Sequence, residues 1–167
     1  PMLYSAFGKA QPSVYTMQAF IDGSTRADLS IQVSEVQAAN VPALHGTMWG
    51  GNLSVIASLA GSAYLPQPEG GILFLEDVGE QPYRLERMLQ TLHLAGILKR
   101  QQAIVLGNFR MGSARDVYDG GYDLSSVIRT LRRISGIPVL TGFPFGHISD
   151  IATFPLGVQT AIRGNGT

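Results

Sequence analysis

Two segments of this 167-residue chain end on side chains that handle protons. The apolar run at residues 71–75 stops on Glu76, and the glycine- and proline-bearing turn at residues 142–146 leads to His147. In an acyl-transfer triad, a carboxylate orients an imidazole, and the imidazole removes a proton from a nucleophile. A glutamate and a histidine can supply two of these three members. The chain has no cysteine and no Gly-x-Ser-x-Gly nucleophile turn. We therefore predict part of a catalytic apparatus whose nucleophile lies elsewhere.

Both residues also have plain structural alternatives. Glu76 could cap the helix that begins at Pro82, or pair with Arg84 or Arg87, and His147 could be an ordinary loop residue. The pairing hypothesis rests on position: each residue follows a predicted buried strand. Ligands of open α/β sheets collect at the carboxyl ends of the strands, so we expect the two side chains to meet there.

The composition is that of one compact domain. Apolar residues make up 45% of the chain and charged residues 14%, and twelve basic side chains balance twelve acidic ones. A neutral chain gives no electrostatic reason to expect nucleic acid or an anionic membrane as a partner. The arginines at 129, 132 and 133 have the spacing of a solvated helix face. No apolar stretch reaches the roughly 20 residues of a membrane span, and the lack of cysteine weakly favours a reducing compartment.

The hydrophobic periodicity predicts a layered α/β fold. Continuous apolar runs indicate buried strands, and helical spacing between them implies parallel pairing through right-handed crossovers. Period-two alternation predicts a further, antiparallel layer. The predicted strands cover residues 29–33, 72–75, 103–106, 137–140 and 156–162, and the predicted helices cover 14–20 (capped by Ser13), 53–60 (capped by Asn52), 82–92 and the segment after Asp123.

The ends of the chain suggest a domain organisation. Residues 1–5 resemble the end of a strand whose beginning is missing, and residues 163–167 resemble a turn that leads onward. We expect residues 1–25 to be a linker from a missing amino-terminal domain and residues 26–167 to be a carboxyl-terminal domain.

A glycine-rich segment, GTMWGGN at residues 46–52, is a second candidate for function. Glycines ahead of a helix let a substrate backbone or carboxylate approach closely, and Trp49 could wall a pocket. We therefore consider Trp49, Gly50, Gly51 and Asn52 as substrate-binding residues; the alternative is a tight connection with a partly buried tryptophan. The three histidines are too scattered for metal ligation, so we predict no metal and no other cofactor.

Six ordered segments resemble the carboxyl-terminal domain of the LD-carboxypeptidases, the murein tetrapeptide carboxypeptidases. The resemblance covers nearly the whole chain, and its segments are residues 46–54, 71–87, 95–98, 103–107, 121–124 and 142–147, the last followed by 155–157. It implies a swivelling β/β/α domain with a parallel sheet, helices and a second, antiparallel sheet. It also implies that Glu76 and His147 are the triad glutamate and histidine, whereas the serine belongs to an amino-terminal domain that this sequence lacks.

The resemblance implies a cytoplasmic, homodimeric enzyme that releases terminal D-alanine from murein tetrapeptide during cell-wall recycling. In that mechanism His147 is general base and then general acid, and Glu76 orients it. Two alternatives stay open. One is the serine amidase activity of the microcin-immunity peptidases, which share the architecture. The other is a non-catalytic module for peptide binding or dimerisation. We expect this chain alone to be inactive.

Overall fold

The computed structural model describes residues 11–33, 43–112 and 121–164. The elements follow one another as helix, strand, helix, strand, helix, strand, helix and two strands. They are α1 (Val14–Thr25), β1 (Leu44–Asn52), α2 (Leu53–Ser58), β2 (Gly71–Val78), α3 (Pro82–Leu94), β3 (Gln101–Arg110), α4 (Leu124–Ser135), β4 (Val139–Leu140) and β5 (Val158–Ile162), with a 3₁₀ turn at Leu98–Arg100.

A five-stranded sheet in the order β4-β3-β2-β1-β5 organises the domain. The strands β1 to β4 run parallel to their neighbours, and β5 pairs with β1 in the antiparallel sense. The predicted α/β class and parallel sheet are therefore confirmed. The antiparallel strand lies at the edge of this same sheet, and within the described ranges it does not belong to a separate second sheet.

The central strand β2 has a continuous apolar sequence because it is buried in the middle of the sheet. Its residues from 71 to 77 are all buried, because β1 and β3 flank it and both faces of the sheet are covered. On one face Leu73 and Leu75 pack with the apolar sides of α2, α3 and α4. On the other face Ile72 and Phe74 pack with the segment that follows β4. Burial of each such side chain stabilises the fold by about 1.5–3 kcal/mol.

The predicted helix boundaries are largely confirmed by their caps. The Asn52 side chain accepts a hydrogen bond from the Val55 N–H at the start of α2, and Asp123 does the same for α4. Pro82 occupies the first turn of α3, where its missing N–H costs nothing. Gly136 ends α4 in the left-handed conformation that glycine favours.

Three expectations about local structure were wrong. Residues 29–33 alternate in polarity but form no strand, and they have no sheet neighbour within the described residues. The segment 46–52 makes up most of strand β1 and is not a tight connection. The strand expected at 137–140 is only Val139–Leu140, because Pro138 lacks the N–H that a ladder needs.

Helix α1 extends to Thr25, five residues beyond the predicted end. It contacts the segment after His147 through Thr16, which is fully buried. The Thr16 hydroxyl donates to the carbonyl of Ser149 at 2.9 Å and accepts from the N–H of Ile151 at 3.0 Å. The linker predicted at residues 1–25 thus contains a helix bonded to the rest of the domain; residues 1–5 and 165–167, for which we also had expectations, lie outside the described ranges.

Candidate active site

The side chains of Glu76 and His147 meet at the carboxyl end of β2. The Glu76 Oε2 and His147 Nδ1 atoms are 3.7 Å apart, a fraction of an ångström beyond a hydrogen bond. The Glu76 side chain is 9% exposed, and the imidazole of His147 retains more contact with solvent, at 28%. Because Nδ1 is the nitrogen that faces the carboxylate, Nε2 lies on the opposite side of the ring. This is the orientation that a general base in a triad requires.

The histidine loop, residues 142–147, is held against the end of β3 by main-chain hydrogen bonds. The N–H of Phe143 donates to the carbonyl of Leu106 at 3.2 Å, and the N–H of Asn108 donates to the carbonyl of Phe145 at 2.7 Å. These bonds continue the pairing of β3 beyond the two residues of β4. They fix the backbone within two residues of the imidazole.

Two glycines permit this close approach. A Cβ at Gly107 would lie 2.7 Å from the Phe145 carbonyl oxygen, and Gly146 has φ +123° with the Asn108 backbone beneath it. Neither position accommodates a side chain without movement of the loop. Gly107 and Gly146 therefore let the loop that leads to His147 lie directly against β3.

An aromatic cluster packs under the same loop. Phe74, from the buried strand β2, lies edge-to-face with Phe143, Phe145 and Phe154, at centroid distances of 5.7, 5.2 and 5.3 Å. Such pairs contribute about 0.5–1.5 kcal/mol each beyond the area that they bury. The rings join the strand that ends in Glu76 to the loop that ends in His147, so both halves of the site share one support.

The electrostatics of Glu76 combine opposing effects. Burial raises the pKa of its carboxyl above the ordinary value of 4.5, and the nearby charge of Asp77 acts in the same direction. The Asn52 amide and His147 favour the ionised form and partly offset that pKa shift. On balance the pKa of Glu76 is raised, with burial as the largest cause.

A second acid, Asp77, lies beside Glu76 and is 3% exposed. Its Oδ2 accepts from the N–H of Ser54 at 2.9 Å and from the Ser54 hydroxyl at 2.6 Å, at the start of α2. Its Oδ1 accepts from the N–H of Val78 at 2.7 Å and from the Asn52 amide at 3.2 Å. A buried carboxylate with this many donors is a structural anchor.

The four residues expected to bind substrate have different environments in the structure. Trp49 is 4% exposed, packs in the core on the helix side, and donates its indole N–H to Gln101 Oε1 at 2.8 Å, so its observed contacts are those of a core residue. A Cβ at Gly50 would lie only 2.0 Å from the Phe74 carbonyl oxygen, so that glycine allows β1 to approach β2. Gly51 has no atom near its Cβ position, and Asn52 pairs in register with Glu76.

Within the described residues, Glu76 neither pairs with Arg84 nor caps helix α3. Arg84 pairs with Glu80 at 3.6 Å, and Gln81 is the residue before α3. The sequence did not identify Asp77 and Gly107 as supports of the site. Both positions have a sequence pattern that could have identified them. Asp77 is a second acid directly after the apolar run that ends at Glu76, and Gly107 directly follows the apolar run at residues 103–106.

The comparisons with known proteins identify the family of the chain. The family description "LD-carboxypeptidase C-terminal domain" matches residues 45–162. The chain therefore belongs to the LD-carboxypeptidase family, and it carries that family's carboxyl-terminal domain. The resemblance noted from the sequence is confirmed. In the described ranges no helix is both long and apolar enough to cross a bilayer.

Individual relatives differ in their stated roles. The chain is 36% identical over 124 residues to the murein tetrapeptide carboxypeptidase of Pseudomonas aeruginosa. That match covers 73% of this chain and 39% of the other protein. It is 33% identical over 124 residues to the Microcin C7 self-immunity protein MccF of Escherichia coli, over 71% and 34% of the two chains. A crystal structure of muramoyltetrapeptide carboxypeptidase from Oxalobacter formigenes superposes with a TM-score of 0.82 at 40% identity. That match covers 96% of this chain and 55% of the other. The chain thus spans between a third and about half of the length of these relatives.

Proposed function

We propose that this chain is the carboxyl-terminal part of a serine-type LD-carboxypeptidase that releases terminal D-alanine from murein tetrapeptide. It supplies Glu76 and His147, and an amino-terminal domain supplies the nucleophilic serine. The observation that carries the proposal is the 3.7 Å approach of Glu76 Oε2 to His147 Nδ1 at the carboxyl ends of parallel strands. Membership of the family and the stated roles of two relatives support the choice of substrate.

In the proposed reaction His147 acts through Nε2. It removes the proton of the serine hydroxyl as that oxygen attacks the scissile carbonyl, and then returns the proton to the leaving amino group of D-alanine. The Glu76 carboxylate holds the ring orientation and stabilises the imidazolium that forms. Water then repeats the sequence to release the acyl group, again with His147 as base.

Acid inactivation follows from the same arrangement. The carboxylate stabilises the imidazolium only while it is ionised, and burial raises its pKa above 4.5. Activity that depends on Glu76 is therefore complete well above this raised pKa and is lost as the pH falls through it.

The direct test compares two polypeptides. The 167-residue chain alone, and the same chain joined to a serine-bearing amino-terminal domain, are incubated with murein tetrapeptide, and released D-alanine is measured. Hydrolysis by the joined protein only is the expected result. Hydrolysis by the 167 residues alone, or by neither protein, would contradict the proposal.

The similarity to MccF supports a second candidate, a serine amidase of the microcin-immunity type. The same Glu–His pair would serve both reactions, so the residues of the triad do not discriminate between them. Substrate profiling of the joined protein, with murein tetrapeptide against a peptide–nucleotide conjugate, separates the two. Higher kcat/KM for the tetrapeptide favours the carboxypeptidase.

A non-catalytic module for peptide binding or dimerisation is the remaining alternative. It predicts that His147→Ala leaves both turnover and peptide affinity unchanged. The triad predicts lost turnover with retained affinity. A homodimer in the cytoplasm, acting in cell-wall recycling, is our expectation for the complete protein; sedimentation and cell fractionation test it.

A further inference from the structure

Asn52 connects the two carboxylates of the site. Its amide nitrogen lies 3.4 Å from Glu76 Oε1 and 3.2 Å from Asp77 Oδ1. An amide nitrogen carries two hydrogens, so one is available for each acceptor. Strand pairing places the residue there, because Asn52 of β1 lies in register with Glu76 of β2.

The orientation of that amide is set by the helix that Asn52 caps. Its Oδ1 accepts from the Val55 N–H at 3.2 Å, which fixes the oxygen toward α2 and turns the nitrogen toward the acids. Asp77 is in turn fixed by the N–H and hydroxyl of Ser54, in the same first turn. A continuous path of hydrogen bonds therefore leads from the start of α2, through Asp77 and Asn52, to the carboxylate of Glu76.

We propose that Asn52 is a positioning residue for the Glu–His pair rather than a substrate-binding residue. Its amide holds Glu76 Oε1, so that Oε2 is presented to His147 Nδ1, and Asp77 with the first turn of α2 holds the amide. The inference rests on the proposed function for its catalytic consequence, but the positioning itself is a property of this chain alone.

Two variants separate the amide donor from the helix cap. Serine caps helices about as well as asparagine but carries no amide donor and adds no charge. Asn52→Ser therefore keeps the cap and removes the donor to Glu76, and Asn52→Ala removes both. Asp123→Ala, at the exposed cap of α4, is the matched control for loss of a cap away from the site.

The first measurement is the titration of the Glu76 side-chain carboxyl carbon by NMR in the 167-residue chain. We expect the pKa of Glu76 to rise further in both Asn52 variants, since a donor to the ionised form is lost, and to stay unchanged in Asp123→Ala. Urea unfolding should show a smaller loss of stability for Asn52→Ser than for Asn52→Ala, because the serine keeps the cap, and a loss for Asp123→Ala that reflects a cap alone. An Asn52→Ser protein in which Glu76 titrates as in the wild type would overturn the inference.

The second measurement uses the chain joined to the amino-terminal domain. We expect kcat for D-alanine release to fall about tenfold to a hundredfold in both Asn52 variants, the usual effect of a lost hydrogen bond to a charged group, with KM unchanged. A raised KM with kcat retained would overturn the inference in favour of substrate binding. If the wild-type joined protein releases no D-alanine, the proposed function fails, while the NMR titration still decides whether Asn52 positions Glu76.

Discussion

The substitution Gly107→Ala should impair the site without removing a catalytic group. Gly107 follows the buried part of β3, beside the loop that carries His147. The added Cβ would lie 2.7 Å from the Phe145 carbonyl oxygen, 3.1 Å from the Phe74 ring and 3.4 Å from the Glu76 Cβ. Ordinary contact begins at 3.4 Å, so the carbonyl must retreat by about 0.7 Å.

The retreat has two measurable costs. Overpacking of this kind destabilises a fold by about 1–3 kcal/mol, and the Asn108 N–H loses its 2.7 Å bond to the same carbonyl. A displacement near 1 Å in a reacting group costs roughly a hundredfold in rate. Since His147 follows Phe145 by two residues, we expect kcat of the joined protein to fall about tenfold to a hundredfold.

The matched control is Gly136→Ala at the end of α4. Gly136 has φ +66° and no atom within 4 Å of its Cβ position. The left-handed conformation costs a non-glycine residue about 1–2 kcal/mol, so this variant is destabilised to a similar degree, with no steric route to the histidine. Urea unfolding of the 167-residue chain and D-alanine release by the joined protein are measured for both variants.

The reasoning predicts comparable loss of stability and unequal loss of activity. A Gly107→Ala protein that matches Gly136→Ala in kcat, at temperatures where both are folded, would refute it. So would a wild-type position of the His147 ring signals in the NMR spectrum of Gly107→Ala, because the steric argument requires the loop to move.

Further predictions concern the triad, the sheet and the loop support. His147→Ala in the joined protein should lower kcat by about 10³-fold or more with peptide affinity unchanged, as measured by steady-state kinetics and calorimetry. The loss of activity at acid pH that Glu76 contributes should set in above pH 4.5, because burial raises the pKa of Glu76. Glu76→Gln removes that contribution, so the acidic limb of its kcat–pH profile should be less steep than that of the wild type, and an unchanged slope would contradict this. Gly50→Ala, with a Cβ 2.0 Å from the Phe74 carbonyl oxygen, should cost about 3 kcal/mol or more in unfolding free energy; a wild-type Tm would contradict this. Thr16→Val leaves the buried Ile151 N–H without its acceptor and the Ser149 carbonyl without its donor, so it should cost about 1–3 kcal/mol and speed hydrogen exchange in α1.

The sequence was sufficient to predict the elements that are determined by a local pattern of residues. Continuous apolar runs identified β2 and β3, because only strands covered on both faces tolerate them. Asn52 and Asp123 identified helix starts, because a side-chain oxygen that precedes an apolar periodic run caps an exposed N–H. The meeting of Glu76 with His147 followed from parallel topology alone.

The sequence was insufficient where partners are distant along the chain. The alternation at residues 29–33 has the period of a strand, yet pairing needs a neighbouring strand that no local pattern reveals. The glycines at 50 and 51 resembled a turn, although Gly50 serves the close approach of β1 to the Phe74 carbonyl. Trp49 resembled a pocket wall because the glutamine 52 residues away that accepts its N–H is invisible locally.

Helix α1 has a consequence for assembly. Its buried Thr16 bonds to Ser149 and Ile151, two and four residues past the imidazole, so the first turn of α1 lies close behind the histidine loop. A unit attached ahead of this helix would therefore be anchored, through α1, near the Glu76–His147 pair. That anchoring would raise the effective concentration, at the imidazole, of a nucleophile carried by such a unit.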